Sequence, residues 1–104
     1  MSNFFLVICK DKPGSLDLRK ATRPKHLDFL KAYGDSLKVG GPFLTGEDGT
    51  PCGSMLVVEG KSLEAIEALV RQDPYFEAGL FESVEVRPWV PVAGAWHPED
   101  MRQI

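Results

Sequence analysis

The stretch that decides the fold is GSMLVVEGKSLEAIEALVRQDPYFEAGLFESVEVRPW, residues 53–89. It opens with a β-rich run, Gly53 to Glu59, which predicts a strand. Ser62 then predicts the N-cap of a helix, because apolar residues follow it at helical spacing until Asp73-Pro74. After a short turn or helical bend, Ser83 to Trp89 alternates apolar and charged residues, as a half-buried strand does. The stretch therefore predicts one β-α-β unit.

A second unit of the same kind lies upstream. Asn3 to Cys9 is rich in strand-forming residues, and Lys10 to Leu18 interrupts it with charges and a turn signal. A helix is predicted to begin at Thr22 as the N-cap, with Pro24 in its first turn, and to end near Tyr33. Lys38 to Leu44 is a short strand that forms a hairpin with the strand beginning at Gly53.

The predicted order is β-α-β-β-α-β, which gives an α+β, ferredoxin-like sandwich. Two such units form a four-stranded antiparallel sheet with both helices on one side, so the opposite face is bare. The 104 residues suffice for a single domain, 1–104, with a core from about 3 to 89. The tail, 90–104, carries proline, glycine and Trp96. We expect this tail to pack on its own domain or on a partner, because apolar patches of that size are uncommon on monomers.

Composition and charge exclude several classes of function. The net charge is −3, and cations are scattered among a larger number of acids, so nucleic-acid and membrane-surface binding are not expected. The apolar start lacks the basic region and the length of a signal peptide. Cys9 and Cys52 have neither disulfide-framework nor zinc spacing, and Cys9 is expected to be a small buried hydrophobe. We expect a reduced, cytoplasmic protein without a metal.

The best candidate for proton transfer is His26, because histidine has an unperturbed pKa nearest neutrality. It follows a cation-rich segment, and Arg23 lies three residues earlier on the same helical face. The pair suggests a site for an anionic small molecule, with histidine as acid or base. The alternative is a histidine that is merely solvated or hydrogen-bonded. Asp73 has two interpretations as well: a local turn before Pro74, or a carboxylate that orients His26.

Two further features could contribute to a ligand site. Gly40-Gly41-Pro42 matches no phosphate-binding or dinucleotide fingerprint, and it predicts a bulge or a close backbone approach to a ligand or neighbour. Ser54, at the start of its strand, could donate a hydrogen bond to a ligand, or it could be an ordinary strand residue.

Several short motifs together resemble the YCII-related (YciI-like) family of the dimeric α/β-barrel superfamily. The matching residues are Phe5-Leu6-Val7-Ile8, Asp11, Ser15-Leu16, Arg19, Arg23-Pro24-Lys25-His26-Leu27, Gly41-Pro42, Gly53-Ser54, Val57-Val58, Asp73-Pro74-Tyr75, Ala78-Gly79-Leu80-Phe81 and Val84-Glu85-Val86-Arg87-Pro88. The resemblance implies a homodimer in which two protomers join their bare sheet faces. It also implies a catalytic dyad of His26 and Asp73. The substrate-binding candidates are Arg23, Asp11, Arg19, Gly41, Pro42, Ser54 and Tyr75.

The leading hypothesis is a cofactor-independent enzyme of lyase or isomerase type, resembling a dehydrochlorinase or a muconolactone isomerase. In it, His26 would move a proton on a small anionic substrate, aromatic acids included, with Asp73 orienting the ring and Arg23 holding the anion. The second hypothesis is a non-catalytic, dimeric metabolite-binding or stress-related module. Metal use through His26 and His97 has no supporting ligand spacing.

Overall fold

The computed structural model describes residues 3–46 and 48–95. It contains four strands, three α-helices and one 3₁₀ helix. In chain order these are β1 (Asn3–Asp11), α1 (Leu16–Leu30), the 3₁₀ helix (Lys31–Ser36), β2 (Leu37–Leu44), β3 (Pro51–Gly60), α2 (Leu63–Val70), α3 (Pro74–Glu77) and β4 (Phe81–Trp89). Trp96, His97 and the rest of the predicted tail to residue 104 lie outside the described residues.

The sheet has the strand order β2-β3-β1-β4, and each neighbouring pair is antiparallel. The split β-α-β topology produces this order, because each helix connects two parallel strands that are separated by a third strand. The predicted α+β, ferredoxin-like fold with a four-stranded antiparallel sheet is confirmed.

One face of the sheet forms the main core with both helices. Phe5, Val7 and Cys9 alternate along β1 toward this face, and Val7 is 1% exposed. They pack with Ile66 and Val70 of α2, and Phe29 and Leu30 of α1 cover the same cluster. Burying one such aliphatic side chain contributes about 1.5–3 kcal/mol, so this face fixes where α1 and α2 lie.

The other sheet face is apolar and only partly covered. A cavity of about 600 Å³ opens on it, lined by Phe4, Leu6, Lys38, Val39, Met55, Val57, Trp89 and Pro91. Val39, Met55 and Trp89 are between 36% and 40% exposed, whereas Pro91 is buried. The chain after β4 therefore begins its course across this face.

The first helix differs most from the sequence prediction. It begins at Leu16, so Thr22 is not its N-cap, and Pro24 lies inside it rather than in its first turn. Proline lacks an amide hydrogen, which leaves the carbonyl of Lys20 without its helical donor. The helix forms earlier because Arg19 is drawn into the interior by Asp11, which itself belongs to β1 instead of the predicted loop.

Candidate functional site

A buried histidine–aspartate pair lies between α1 and α3. The Nδ1 atom of His26 is 2.9 Å from Oδ1 and 3.0 Å from Oδ2 of Asp73, and the two residues are 7% and 4% exposed. Asp73 is also the N-cap of α3, where its Oδ1 accepts the backbone N–H of Tyr75 at 2.8 Å. Because α3 packs against α1, the cap holds the carboxylate against the histidine ring.

This contact defines the role of each ring nitrogen. A carboxylate only accepts hydrogen bonds, so Nδ1 of His26 carries the proton that it shares with Asp73. In a neutral imidazole the other nitrogen, Nε2, is then an acceptor. No other described residue forms a hydrogen bond with Nε2. The arrangement can take a proton at Nε2 while Asp73 stabilises the resulting imidazolium.

Tyr75 fixes the plane of the histidine ring. The two rings are stacked, with centroids 3.9 Å apart and an interplanar angle of 16°. The guanidinium carbon of Arg19 lies 4.8 Å from the centroid of the same tyrosine ring, a cation–π distance. Burial raises the pKa of Tyr75, although Arg19 and Arg23 act in the opposite direction. Tyr75 therefore remains a neutral phenol that packs against His26.

Arg19 of α1 forms hydrogen bonds with residues of β1 and β3, and so connects three elements at the end of the sheet. Its Nε donates to Oδ2 of Asp11 at 2.7 Å, and its Nη2 donates to Oδ1 of Asp11 at 3.2 Å and to the hydroxyl of Ser54 at 2.8 Å. Burial alone would lower the pKa of the Arg19 guanidinium, but the hydrogen bond and charge of Asp11 outweigh it and raise the pKa. Arg19 is thus a permanent cation whose charge Asp11 balances.

A cavity of about 300 Å³ opens beside this pair. It is lined by Leu16, Arg19, Lys20, Arg23, His26, Leu27, Leu30, Gly40, Gly41, Pro42, Pro51, Ser54, Leu56 and Tyr75. Gly40 allows Leu56 to pack against the backbone of β2, because a Cβ there would lie 2.5 Å from Cδ2 of Leu56. Arg19, Arg23, Gly41, Pro42, Ser54 and Tyr75, all predicted to bind substrate, line the cavity together with His26.

Two of the predicted site residues lie outside this lining. Asp73 contacts His26 but not the cavity, and Asp11 lines a neighbouring cavity of about 760 Å³ at the end of β1. The larger cavity also contains Cys9, where burial and the nearby charges of Asp73 and Asp11 raise the thiol pKa to about 12. Cys9 is therefore a protonated thiol at neutral pH. Within residues 3–46 and 48–95, no histidine lines this cavity.

Several residues of the cavity wall were not predicted as site residues, among them Lys20, Leu27 and Leu30 of α1. Their spacing from Leu16 follows the helical period, which would have identified them if the helix had been predicted from Leu16 onward. Among residues 3–46 and 48–95, no group of three or more histidine, cysteine, aspartate or glutamate side chains could hold a metal ion. Within the same residues, no helix is long and apolar enough to cross a membrane.

Comparison with known proteins gives a family and a structural relative. The model of the YCII-related domain matches residues 3–90. Protein YciI of Escherichia coli O6:H1 is 35% identical over 95 residues, covering 85% of this chain and 97% of that protein. An uncharacterized protein of Haemophilus influenzae is 31% identical over 96 residues, covering 86% of this chain and 98% of the relative.

Among solved structures, one similar chain is the 5-chloro-2-hydroxyhydroquinone dehydrochlorinase (TftG) from Burkholderia phenoliruptrix, in complex with 2,5-dihydroxybenzoquinone. It is 33% identical, with a TM-score of 0.80, and the match covers 91% of this chain and 99% of that chain. A NIPSNAP family protein from Agrobacterium tumefaciens has a TM-score of 0.55 at 18% identity and supports the fold alone. The fold is of the dimeric α/β-barrel type.

Proposed function

This chain belongs to the YCII-related family, and on that premise we propose that it is an enzyme of lyase or isomerase type acting on a small anionic aromatic substrate. The observation that carries the proposal is the buried His26–Asp73 pair beside an open cavity. A histidine that only filled the core would need a hydrogen-bond partner for Nδ1, but it would not need a cavity at its ring. Proton transfer by a residue held in this way contributes about 10²–10⁴-fold to a rate.

In the proposed reaction, Nε2 of His26 takes a proton from a ring hydroxyl or an activated carbon. Asp73 accepts hydrogen bonds from both His26 and the backbone N–H of Tyr75, which hold its carboxylate against the imidazole. The stacked Tyr75 ring keeps the imidazole from turning while the proton moves. The protonated histidine then returns the proton to another atom of the substrate, which completes an isomerisation.

A dehydrochlorination uses the same step twice. His26 would move a proton from a ring hydroxyl to the neighbouring carbon that bears chlorine, which gives a keto tautomer. Removal of a second hydroxyl proton forms a new carbonyl, and its electron pair passes through the ring as the carbon–chlorine bond breaks. The products are a quinone, a proton and chloride, so the step needs no oxidant. The dehydrochlorinase relative, named for a chlorinated hydroxyhydroquinone, motivates this choice of chemistry.

We further propose that a second copy of the chain covers the apolar sheet face. That face presents Leu6, Met55 and Val57 around a cavity of about 600 Å³, with Trp89 at its margin. Exposed apolar patches of this kind are uncommon on monomers and typical of interfaces. The dimeric α/β-barrel fold type supports a homodimer in which the two sheets face each other.

The test is chloride release and quinone formation from 5-chloro-2-hydroxyhydroquinone by the wild-type protein, His26→Gln and Asp73→Asn. We expect turnover by the wild type and a loss of at least about 10²-fold in both variants. Lys25→Gln is the matched control, because Lys25 is exposed on α1 and does not line the cavity. Urea denaturation of each variant separates loss of chemistry from loss of folding.

The competing function, a non-catalytic binding module, makes a different prediction in the same experiment. It predicts that the wild type binds 2,5-dihydroxybenzoquinone without turning over the chlorinated compound or related chlorinated and carboxylated phenols. Turnover that survives in folded His26→Gln would also contradict the proposal, since another group would then move the proton.

A further inference from the structure

The cavity-facing side of α1 begins with Leu16, continues with a cationic stretch and ends with an apolar stretch. Arg19, Lys20 and Arg23 line the cavity from the first half of the helix. Leu27 and Leu30 line it from the second half, and His26 lies between the two groups. All of these residues are three or four positions apart or adjacent, so they share one face. A ligand in the cavity therefore meets charge at one end and hydrocarbon at the other.

Two of the three cations at the charged end, Lys20 and Arg23, have no carboxylate partner among the described residues. Asp11 balances Arg19, but neither Lys20 nor Arg23 forms a hydrogen bond or an ion pair with another described residue. None of the described residues that line the cavity has an acidic side chain. Like charges three positions apart on a helix repel each other, and an anion bound between them would relieve that repulsion. The chain as a whole is acidic, with a net charge of −3, whereas the described lining of this cavity carries Arg19, Lys20 and Arg23.

The other end of the cavity is lined by leucine side chains. Leu27 and Leu30 face Leu56 of β3 across the same cavity, and Leu27 is 41% exposed. A hydrophobic ring placed there would remove leucine surface from water, which is favourable in proportion to the area covered. No described group at this end offers a charge to a ligand.

We infer that the cavity selects an arylalkyl carboxylate, with the carboxylate at Lys20 and Arg23 and the ring against Leu27 and Leu30. The midpoints of these two residue pairs are seven positions apart on α1, which corresponds to about 10 Å along the helix axis. His26 lies near the ring end, where a proton would be exchanged. This inference rests on the proposed function for the role of His26, but the polarity of the cavity stands on the lining residues alone.

The test is binding, measured by calorimetry and NMR titration, of phenylpropionate and its neutral amide, phenylpropionamide. We expect the amide to bind about 5-fold or more weakly than the carboxylate. Lys20→Gln and Arg23→Gln should each weaken carboxylate binding about 2–5-fold, the range for exposed charge pairs, and leave amide binding unchanged. Lys25→Gln changes the same charge on the same helix outside the cavity and should alter neither affinity.

The orientation is tested by nuclear Overhauser contacts from the ring protons, which we expect at the methyl groups of Leu27 and Leu30. Ring contacts at Leu16 instead, equal affinity for acid and amide, or no saturable binding at tens of millimolar would each overturn the inference. An equal effect of Lys25→Gln and Lys20→Gln on carboxylate affinity would also overturn the inference. The preference for the carboxylate would then come from the general positive charge of the helix and not from contacts in the cavity.

Repeating the binding in His26→Gln keeps the two proposals separate. If this variant still binds the carboxylate in the expected orientation, and no form of the protein shows turnover, the proposed enzymatic function is wrong and the proposed ligand class stands. If the protein turns over the chlorinated hydroxyhydroquinone but does not prefer the carboxylate to the amide, the proposed ligand class is wrong and the proposed enzymatic function stands.

Discussion

Replacing Arg19 with methionine should destabilise the fold far more than replacing a surface arginine. Arg19 is 6% exposed and donates three hydrogen bonds, two to Asp11 and one to Ser54. Methionine fills much of the same volume but leaves the Asp11 carboxylate, 9% exposed, without its counter-charge. Removing one partner of a buried ion pair costs about 3–5 kcal/mol, because an uncompensated charge stays in the interior.

Urea denaturation followed by circular dichroism measures this cost. With a denaturant slope of about 2 kcal/mol per M, a loss of about 4 kcal/mol lowers the midpoint by about 2 M. Arg87→Met is the matched control, since Arg87 contacts Glu85 at 3.0 Å while its side chain is 64% exposed. Exposed pairs contribute about 0–1 kcal/mol, so the control should change the midpoint only slightly.

A double variant separates the charge effect from packing. Arg19→Met combined with Asp11→Leu removes the orphaned carboxylate, and most of the lost stability should return. A single Arg19→Met that unfolds at the same urea concentration as Arg87→Met would refute the reasoning, because Asp11 would then not need its partner. Failure of the double variant to recover stability would assign the loss to packing against Tyr75 instead.

Three further predictions follow from the described contacts. Asp73→Asn should lower turnover about 10²–10⁴-fold, because it presents an amide instead of a carboxylate to the histidine. The free energy of unfolding should change by less than about 1 kcal/mol, because asparagine can still accept the backbone N–H of Tyr75 as the N-cap of α3. Steady-state kinetics and urea denaturation measure the two effects. Burial raises the pKa of Cys9 to about 12, so the thiol ionises in the unfolded chain before it does in the folded chain. The free energy of unfolding should therefore fall above about pH 9 by up to about 1.4 kcal/mol per pH unit. Cys9→Ala should remove that part of the pH dependence, and an identical pH dependence in the variant would contradict the buried thiol. Met55→Glu on the bare sheet face should shift sedimentation toward the monomer, whereas Val92→Glu, at a site 72% exposed, should not; a wild-type monomer would refute the dimer.

The second half of the fold could be predicted because its signals are local. Ser62 accepts the N–H of Ala65 at 3.1 Å as the expected N-cap, and the alternation in residues 83–89 belongs to β4. The start of α1 could not be predicted from local signals, because it depends on the buried ion pair that Arg19 forms with Asp11 across a loop. Local propensity favoured Thr22 and Pro24 as the helix start, and the tertiary ion pair outweighed it.

The candidate site was only partly accessible from the sequence. The contact of His26 with Asp73 joins residues 47 positions apart, so no spacing rule predicts it. Side-chain chemistry gave it as one of two interpretations of Asp73, and the family resemblance favoured it. The stacking of Tyr75 on His26 likewise depends on α3, which residue patterns left open as a turn or a helical bend. The cationic and apolar halves of the cavity follow the helical period of α1, and they became recognisable once the helix began at Leu16.

The central claim is that Asp73 holds the proton of His26 on Nδ1 and leaves Nε2 free to act as a base. Long-range ¹H–¹⁵N correlation spectra of the ring nitrogens, recorded while the imidazole is neutral, test it directly. We expect a protonated Nδ1 and an unprotonated Nε2 in the wild type, and the opposite tautomer in Asp73→Asn. A wild-type ring protonated on Nε2 would contradict it, because the nitrogen needed to accept the proton would already carry one.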